Sequence, residues 1–371
     1  MITLSPLNKR RLSNFNKNRR AVWSLCIFSI LFGLSLFAEF LANDKPILVS
    51  YRGELFMPVT QFYPETTFGG DFKTEATYRD PEVQCLIRSG GLEICFEDPE
   101  ITMEAISRND LGLEVKDFYE GWMIWPPVPY SYDTPNDLGR SAPSPPDAKH
   151  WLGTDDTTRD VLARVIYGFR LSILFALIVT VFASIIGVIA GAIQGYFGGW
   201  LDLVFQRFLE VFSALPSLYV IIILTAILGR SFWLLATLSI IFGWPALTGL
   251  IRAEFFRARN FEYVRAAQAL GVSNWTIMMR HILPNAMVAT LTFLPFIVTG
   301  AISTLAGLDF LGFGLPSSSP SLGELSQQAK LNLQSPHLGF TAFFVFTIML
   351  SLLVFIFEGV RDAFDPRKVF S

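Results

Sequence analysis

Long apolar blocks separated by short polar stretches are the main pattern of this 371-residue sequence. A helix needs about 20 residues to cross roughly 30 Å of hydrocarbon, and six blocks have about that length. The pattern therefore predicts an all-α transmembrane helical bundle of six spans. The spans lie at residues 21–42, 171–194, 208–228, 232–251, 286–306 and 340–358.

The first apolar block, residues 21–42, follows a basic stretch, as the apolar part of a secretory signal peptide does. The apolar region of a cleavable signal peptide is usually about 7–15 residues long, and this block is longer. We therefore expect an uncleaved first transmembrane helix at residues 21–42.

The charge distribution predicts the orientation. Residues 1–20 carry six basic residues and no acidic one, whereas residues 43–150 carry nineteen acidic and nine basic residues. Because basic segments stay cytoplasmic, we expect an inner-membrane protein with a cytoplasmic N-terminus at 1–20 and an exported periplasmic insertion at 43–150. The five-helix core then occupies 151–358, and the tail at 359–371 is cytoplasmic. Charged residues make up only 16% of the chain, which disfavours a water-soluble protein, where about 25% is usual.

The insertion at 43–150 is too long to be a simple connection between helices. Its first half has short apolar pieces separated by glycine and proline turn signals, which predicts a partly β structure. The predicted strands are Leu55–Val59, Cys85–Ile87 and Leu92–Phe96. From Trp122 to Pro146 the chain is rich in proline and aromatic residues, which favours extended chain over regular elements.

Cys85 and Cys95 lie symmetrically about Gly90. A hairpin folded at that glycine would place the two side chains opposite each other, and an exported domain is in an oxidising compartment. A disulfide is therefore predicted, with a pair of free thiols as the alternative.

Three prolines, Pro216, Pro245 and Pro295, fall inside predicted spans. Each removes a backbone donor and clashes with the preceding turn, so kinks or breaks are expected there. Such breaks fit a translocation pathway, and they equally fit ordinary bent helices.

The sequence shows no grouping of residues that would let this chain bind ATP phosphates or catalyse a reaction by itself. It has no G-x-x-x-x-G-K-[ST] motif and no Gly-Lys pair, so the chain cannot build a P-loop of its own. We expect no catalytic residues, no metal site, no bound cofactor and no nucleic-acid partner.

The segment Glu262–Pro284, in the predicted cytoplasmic loop 252–285, is the most informative in the chain. Glu262–Leu270 has good helix formers, Gly271 is typical of a helix C-terminus, and Ser273 of the next N-cap. A helix–turn–helix is therefore predicted. Three small side chains would leave one part of the first helix nearly bare, so that the backbone of another protein can approach it closely. They belong to Ala266, Ala267 and Ala269.

These residues resemble the E-A-A-x-x-x-G loop of the permease subunits of binding-protein-dependent ABC importers, which ends in I-x-L-P at the position where this segment has His281-Ile-Leu-Pro284. Three further segments resemble the dipeptide and oligopeptide subgroup, and the long insertion is most similar to the second permease of microcin C and oligopeptide importers. These segments are His150–Asp160, Leu308–Gly314 and Val360–Arg367.

The resemblance implies a subunit that translocates peptides or peptide-like compounds across the inner membrane, while a partner ATPase uses ATP and Mg. It implies four kinds of partner: a second homologous permease, two ATP-binding cassette domains, a periplasmic substrate-binding protein and membrane lipid. The coupling residues that it implies are Glu262, Tyr263, Arg265, Ala266, Ala267, Leu270, Gly271, His281, Leu283 and Pro284.

Two positions depart from the family pattern. Arg265 stands where the family has a glutamate, which reverses the charge offered to the ATPase. Thr158 stands where the family has a glycine, which argues against a tight turn at that point.

Asp155 or Asp156 could cap a helix that begins near Thr157. With Arg159 and Asp160, this helix is expected at the outer membrane interface before the second span. It would serve either as a gate on the outer side or as a membrane-surface anchor.

Two other function classes make different predictions. An ion-coupled secondary transporter requires ionisable residues near span centres, and residues 171–194, 211–228, 232–251 and 286–306 contain none. A membrane receptor with an exported sensing domain requires a signalling domain inside, whereas the longest predicted interior loop is 252–285.

Overall fold

A computed structural model describes residues 6–108, 120–137, 139 and 141–364. The described residues are mostly helical. The α-helices are α1 (Pro6–Lys17), α2 (Arg19–Leu36), α3 (Ala38–Leu41), α4 (Pro81–Ser89), α5 (Pro99–Arg108), α6 (Val161–Phe197), α7 (Gly199–Ala214), α8 (Ser217–Leu228), α9 (Phe232–Gly243), α10 (Pro245–Ala258), α11 (Glu262–Ala269), α12 (Asn274–Thr276), α13 (Leu283–Phe310), α14 (Leu322–Leu331) and α15 (Pro336–Phe364). The strands are β1 (Leu48–Tyr51), β2 (Glu54–Phe56) and β3 (Trp122–Ile124), and short 3₁₀-helices lie at Glu65–Phe68 and Glu93–Phe96.

The chain divides into two units, residues 1–33 with 168–371 and residues 34–167. By length and composition, five helices in the described chain can cross a membrane, and a bent pair makes a sixth candidate. The five are Arg19–Leu36, Val161–Phe197, Phe232–Ala258, Asn274–Phe310 and Pro336–Phe364, and the bent pair is Gly199–Ala214 with Ser217–Leu228.

The prolines inside the spans differ in their effect. At Pro216 the two helices of the bent pair meet at 68°, because the proline is extended and lies outside both helices. Pro245 marks the boundary between α9 and α10, where it occupies the first turn of α10. Pro295 lies inside α13, which continues through it.

Helices α6 and α10 approach closely along three glycines of α6. A methyl group built on Gly187 would lie 2.8 Å from the carbonyl oxygen of Trp244, the residue before α10. One built on Gly191 or Gly195 would lie 2.6 or 2.4 Å from a carbonyl oxygen of α10 itself. Small residues at this four-residue spacing let membrane helices pack backbone against backbone. These two helices are therefore in direct contact over two turns of α6.

In the other unit, the three strands form an antiparallel sheet in the order β2-β1-β3. Successive strand residues face opposite sides, so Val49 and Tyr51 of β1 both point into a buried cluster with Phe68, Tyr78 and Ile87. This cluster holds the sheet against α4.

Two of the three predicted strands of the insertion are wrong. Cys85–Ile87 lies in α4, and Leu92–Phe96 is mostly a 3₁₀-helix. The side chain of Asp80 caps α4, and Gly90 closes it in a left-handed conformation with a φ of 71°, so local capping outweighs the β preference of the apolar residues. The third predicted strand overlaps β2, and β3 forms in a stretch expected to lack regular elements.

Cys85 and Cys95 form a disulfide, with Sγ atoms 2.03 Å apart. It joins α4 to the 3₁₀-helix that follows it and does not bridge two hairpin strands. Leu86 is buried beside the bridge, with Met103 of α5 packed against it, so the bridge lies inside a small apolar cluster.

Candidate functional site

The coupling segment, residues 259–284, connects α10 to α13 and contains the helix–turn–helix motif. After α11, Gly271 adopts a φ of 77°, a left-handed conformation that glycine reaches without a steric penalty. The Oγ of Ser273 then accepts a hydrogen bond from the backbone N–H of Thr276 at 3.3 Å. The helix break and the cap therefore lie at their predicted positions.

Most of the predicted loop 252–285 is helical. Residues 252–258 belong to α10, and a π-helix at Ile277–Ile282 joins α12 to α13. Only two short turns, residues 259–261 and 270–273, separate the helices. The motif is thus continuous with the flanking spans, and π-helical turns of this kind are frequent at functional sites.

One face of α11 packs inward. Val264 and Ala267 are buried against Phe255 of α10 and against Ile277 and Ile282 of the π-helix. This packing fixes α11 on the ends of the two helices that flank it. Movement of α11 therefore requires movement of α10 or α13.

The opposite face of the coupling segment is exposed and partly apolar. Leu270 is 83% exposed and Trp275 is 68% exposed, and Phe261 and Tyr263 are also exposed. Large apolar side chains that stay exposed are typical of protein–protein or membrane contact surfaces. The other exposed motif residues are Glu262, Arg265, Ala266, Gly271 and Pro284, whereas His281 and Leu283 are half-buried.

The expectation that three alanines form one bare face is wrong for Ala267, which is only 8% exposed. It lies three residues after the buried Val264 and so shares its inward face. Ala266 and Ala269 are exposed. The surface open to a partner is therefore formed by these two alanines and the apolar side chains around Leu270.

Arg265 points outward from α11 and forms no ion pair within the described residues. The arginine that replaces the family's glutamate therefore has no structural task in the described chain. Its charge is available to a partner.

Sequence reasoning missed an ion pair that joins α10 to α7. The guanidinium of Arg252 donates two hydrogen bonds to the carboxylate of Asp202, at 2.5 and 2.6 Å. Two parallel bonds of this kind fix orientation as well as distance. The residues lie 50 positions apart, so no local sequence signal could have paired them.

The predicted start of the helix before the second span is wrong, because α6 begins only at Val161 and residues 153–160 form a loop. The buried carboxylate of Asp155 accepts hydrogen bonds from the side chains of Arg159 and Arg164 at 2.8 and 3.1 Å. Thr158 has a φ of 64°, which no helix accommodates. The turn typical of the family's glycine is therefore kept, with a threonine in it, and Asp156 is exposed beside it.

Asp160 is the residue that caps α6. One carboxylate oxygen accepts a hydrogen bond from the backbone N–H of Ala163 at 2.8 Å, and the other lies 2.8 Å from Nδ1 of His150. Burial raises the pKa of Asp160, and the bonds to Ala163 and His150 oppose this shift. His150 also packs on the ring of Tyr130, with centroids 4.3 Å apart.

At the other end of α13, Asp309 organises the loop that leads to α14. Its carboxylate accepts hydrogen bonds from the N–H of Leu315 at 2.7 Å and from the hydroxyl of Ser321. Gly314 lies against that carboxylate with no room for a side chain. The segment Leu308–Gly314, which resembles the peptide importer subgroup, is therefore folded around one buried acid.

A cavity of about 250 Å³ lies among the spans of the helical unit. It borders the helix break at Ser217, after Pro216, and the boundary between α9 and α10 at Gly243, before Pro245. Ser239 faces it, and the buried Oγ of Ser239 has no hydrogen-bond partner among the residues that the structure describes. The other lining residues are Val179, Ala183, Ile221, Phe242, Ala246, Phe293, Phe296, Ile297, Gly300, Ala301 and Thr304.

No group of three or more metal-ligating side chains occurs in the part of the chain that the structure describes. The tail residues of the Val360–Arg367 resemblance lie outside the described residues from 365 onward.

Residues 183–369 match the family model for the inner membrane component of binding-protein-dependent transport systems. Two relatives match over almost the whole length. The chain is 52% identical to the peptidoglycan transport system permease protein YejE of Agrobacterium fabrum, over 99% of this chain and 94% of that protein. It is 49% identical to the inner membrane ABC transporter permease protein YejE of Escherichia coli, over 99% of both.

A third relative matches over a shorter region. The oligopeptide transport system permease protein OppC of Bacillus subtilis is 35% identical over 64% of this chain and 78% of its own length.

Proposed function

The chain belongs to the family of binding-protein-dependent transport system inner membrane components, and we propose that its cargo is peptides or peptide-like compounds. It is a multi-span transport subunit of the inner membrane and carries no ATPase site of its own. The names of its relatives, which refer to peptidoglycan and oligopeptide transport, support this cargo class.

The partners follow from the same family membership. A second homologous permease completes the translocation unit, two ATP-binding cassette domains hydrolyse ATP with Mg, and a periplasmic binding protein delivers the cargo. We assign the ATPase contact to the exposed face of the coupling segment.

The observation that carries this assignment is the exposed apolar patch around Leu270 and Trp275. Burying one leucine side chain contributes about 1.5–3 kcal/mol, so Leu270→Asp should prevent stable binding of the ATPase and abolish uptake. Leu333→Asp is the matched control, because Leu333 is 82% exposed in a different loop. Normal uptake by the Leu270 variant would refute the assignment.

Arg265 is exposed and forms no ion pair among the described residues, so we expect the docking surface to rest on the small and apolar side chains of the segment. Arg265→Glu should therefore transport at close to the normal rate. Severe loss of uptake with an intact complex would mean that the arginine pairs with an acid on the ATPase.

We assign residues 43–150 to the periplasm, with both termini in the cytoplasm. The acidic insertion and the basic N-terminus support this orientation, and so does the disulfide, which persists in oxidising compartments. An impermeant label should reach an exposed insertion residue such as Phe62 in a cysteine variant from the outside. Labelling only from the inside would reverse the topology.

The cavity beside the helix break at Pro216 is our candidate for part of the translocation path. Discontinuous membrane helices border substrate sites in many transporters, and the Ser239 hydroxyl, which has no partner in the described part of the chain, offers a polar contact inside an apolar wall. Ala246→Trp should block uptake while leaving complex assembly intact. Ile30→Trp, at an exposed position of α2, should transport normally, and equal uptake by both variants would remove the cavity from the path.

The function class is tested by uptake of labelled peptides of several lengths in a strain that lacks the chromosomal gene. Uptake should need ATP and the partner ATPase, which should co-purify with this chain and a second permease. Uptake that survives ATP depletion and stops with an uncoupler would instead favour an ion-coupled transporter, and a lone homodimer would favour a receptor.

A further inference from the structure

The end of α6 is hydrogen-bonded directly to the coupling segment. The hydroxyl of Tyr196 donates to Oδ1 of Asn274 at 2.8 Å and accepts a hydrogen bond from Nε2 of Gln268 at 3.4 Å. Gln268 belongs to α11 and Asn274 begins α12. One hydroxyl therefore ties both helices of the segment to a span that lies more than 70 residues earlier in the chain.

A second contact holds the same end of α6. The guanidinium of Arg259, at the start of the coupling segment, donates to the carbonyl oxygens of Gly195 and Tyr196 at 3.4 and 3.2 Å. A cation at a helix C-terminus satisfies the free carbonyls and complements the helix dipole. Arg259 also stacks on Phe256 at 4.0 Å, which fixes its direction.

Helix α6 also contacts α10 in the two turns that precede Tyr196. Its glycines lie against the backbone of α10 over two turns, so α6 and α10 are held together as a pair. The chain itself links the coupling segment only to α10 and α13. A displacement of the segment reaches α6 indirectly, through the packing of α6 on α10, and directly, through side-chain contacts. Tyr196 and Arg259 make the hydrogen bonds between the segment and the end of α6.

We propose that Tyr196 is a positioning residue for ATP-coupled transport, because its hydroxyl couples movement of the coupling segment to α6. The helix has 37 residues and is long enough to carry that movement across the bilayer. The proposal rests on the proposed function, since it presumes that an ATPase moves the segment.

The side chains around the hydroxyl allow a coupling role to be separated from a structural one. Gln268 and Asn274 are exposed, so water can replace the bonds lost in Tyr196→Phe, and the net loss of stability should be small. The effect on coupling between ATP hydrolysis and uptake should be larger than the effect on stability, because a hydrogen bond to water transmits no displacement between helices.

The experiment compares ATP hydrolysis and peptide uptake in proteoliposomes that contain the whole complex. Tyr196→Phe should assemble and hydrolyse ATP, but the number of peptides moved per ATP should fall about two- to tenfold, the factor expected for one hydrogen bond formed in only one state. Tyr219→Phe is the matched control, because the Tyr219 hydroxyl is exposed and makes no hydrogen bond within the described residues.

Two variants of Asn274 test the pairing itself. Asn274→Ala removes the acceptor and should reproduce the defect of Tyr196→Phe, and the two changes combined should be no worse than either alone. Asn274→Asp keeps an acceptor and should restore the ratio of uptake to hydrolysis.

Three results would overturn the proposal: an unchanged ratio in Tyr196→Phe, additive defects in the double variant, or a fall in uptake that only follows a fall in the amount of complex. A complex in which even the unmodified chain neither binds an ATPase nor takes up peptide would instead refute the proposed function. The two failures are therefore distinguishable.

Discussion

The contact between α6 and α10 gives the sharpest stability prediction. A methyl group on Gly191 would lie 2.6 Å from the carbonyl oxygen of Thr248, 2.9 Å from Cβ of Ile251 and 3.0 Å from the N atom of Arg252. Ordinary van der Waals contacts begin near 3.4 Å, so Gly191→Ala must push the two backbones apart by several tenths of an ångström.

The cost of such overpacking is about 1–3 kcal/mol. Unfolding entropy of about 2.1 cal/mol/K per residue converts this to a fall in Tm of roughly 1–4 °C for a chain of this length. Gly249→Ala in α10 is the matched control, since nothing lies within 4 Å of a methyl group there. This control should unfold at the same temperature or slightly higher, because alanine favours helix over glycine.

The assay is thermal unfolding of the purified chain in detergent, followed by tryptophan fluorescence. Gly195→Ala, whose methyl group would lie 2.4 Å from the carbonyl oxygen of Arg252, should lower the Tm at least as much as Gly191→Ala. If Gly191→Ala instead raised the Tm as much as Gly249→Ala, the close approach of the two helices would be wrong.

Three further predictions concern the unit at residues 34–167. His150→Ala leaves the buried carboxylate of Asp160 without its side-chain partner and should destabilise the protein by about 3 kcal/mol. Adding Asp160→Asn should recover part of this stability, as measured by thermal unfolding. If nothing is recovered, the loss comes from packing. Replacing both Cys85 and Cys95 by serine should lower the free energy of unfolding by about 2–3 kcal/mol. In the native chain, only one of the three cysteines should be alkylatable without reductant. Alkylation of all three would contradict the disulfide. Thr158→Gly and Thr158→Ala both lose the hydroxyl, but only glycine adopts the left-handed conformation without strain. The glycine variant should therefore be more stable than the alanine variant by roughly 0.5–1 kcal/mol. Equal stabilities would show that the backbone at this position is unstrained.

Hydropathy predicted the spans well because it is a local property of the chain. Five of the six predicted spans correspond to single long helical stretches, and the third corresponds to the bent pair broken at Pro216. The local capping signals Gly271 and Ser273 likewise located the helix break of the coupling segment. These features need no information about distant residues.

The wrong predictions, of strands in the insertion and of an exposed Ala267, arose where one local preference was outweighed by another local signal or by packing against distant residues. Asp80 and Pro81 are N-cap signals that could have identified α4 in place of a strand. The inward direction of Ala267 follows from helical periodicity once Val264 is known to be buried.

Other contacts could not have been found from the sequence. Tyr196 and Asn274 lie 78 residues apart, and Asp202 and Arg252 lie 50 apart. No local pattern distinguishes any of these four residues, and only the packing of α6 against α12 and of α7 against α10 brings the partners together.

The most direct test of the account is a cross-link between the coupling segment and the ATPase in the assembled complex. Leu270→Cys, in a chain whose only free thiol is removed by Cys26→Ser, is treated with a short thiol-to-amine reagent. The account predicts a product that joins this chain to the ATPase for Leu270→Cys and none for Leu333→Cys. A complex that transports peptide yet gives no product at Leu270, or gives it only at Leu333, would contradict the central claim.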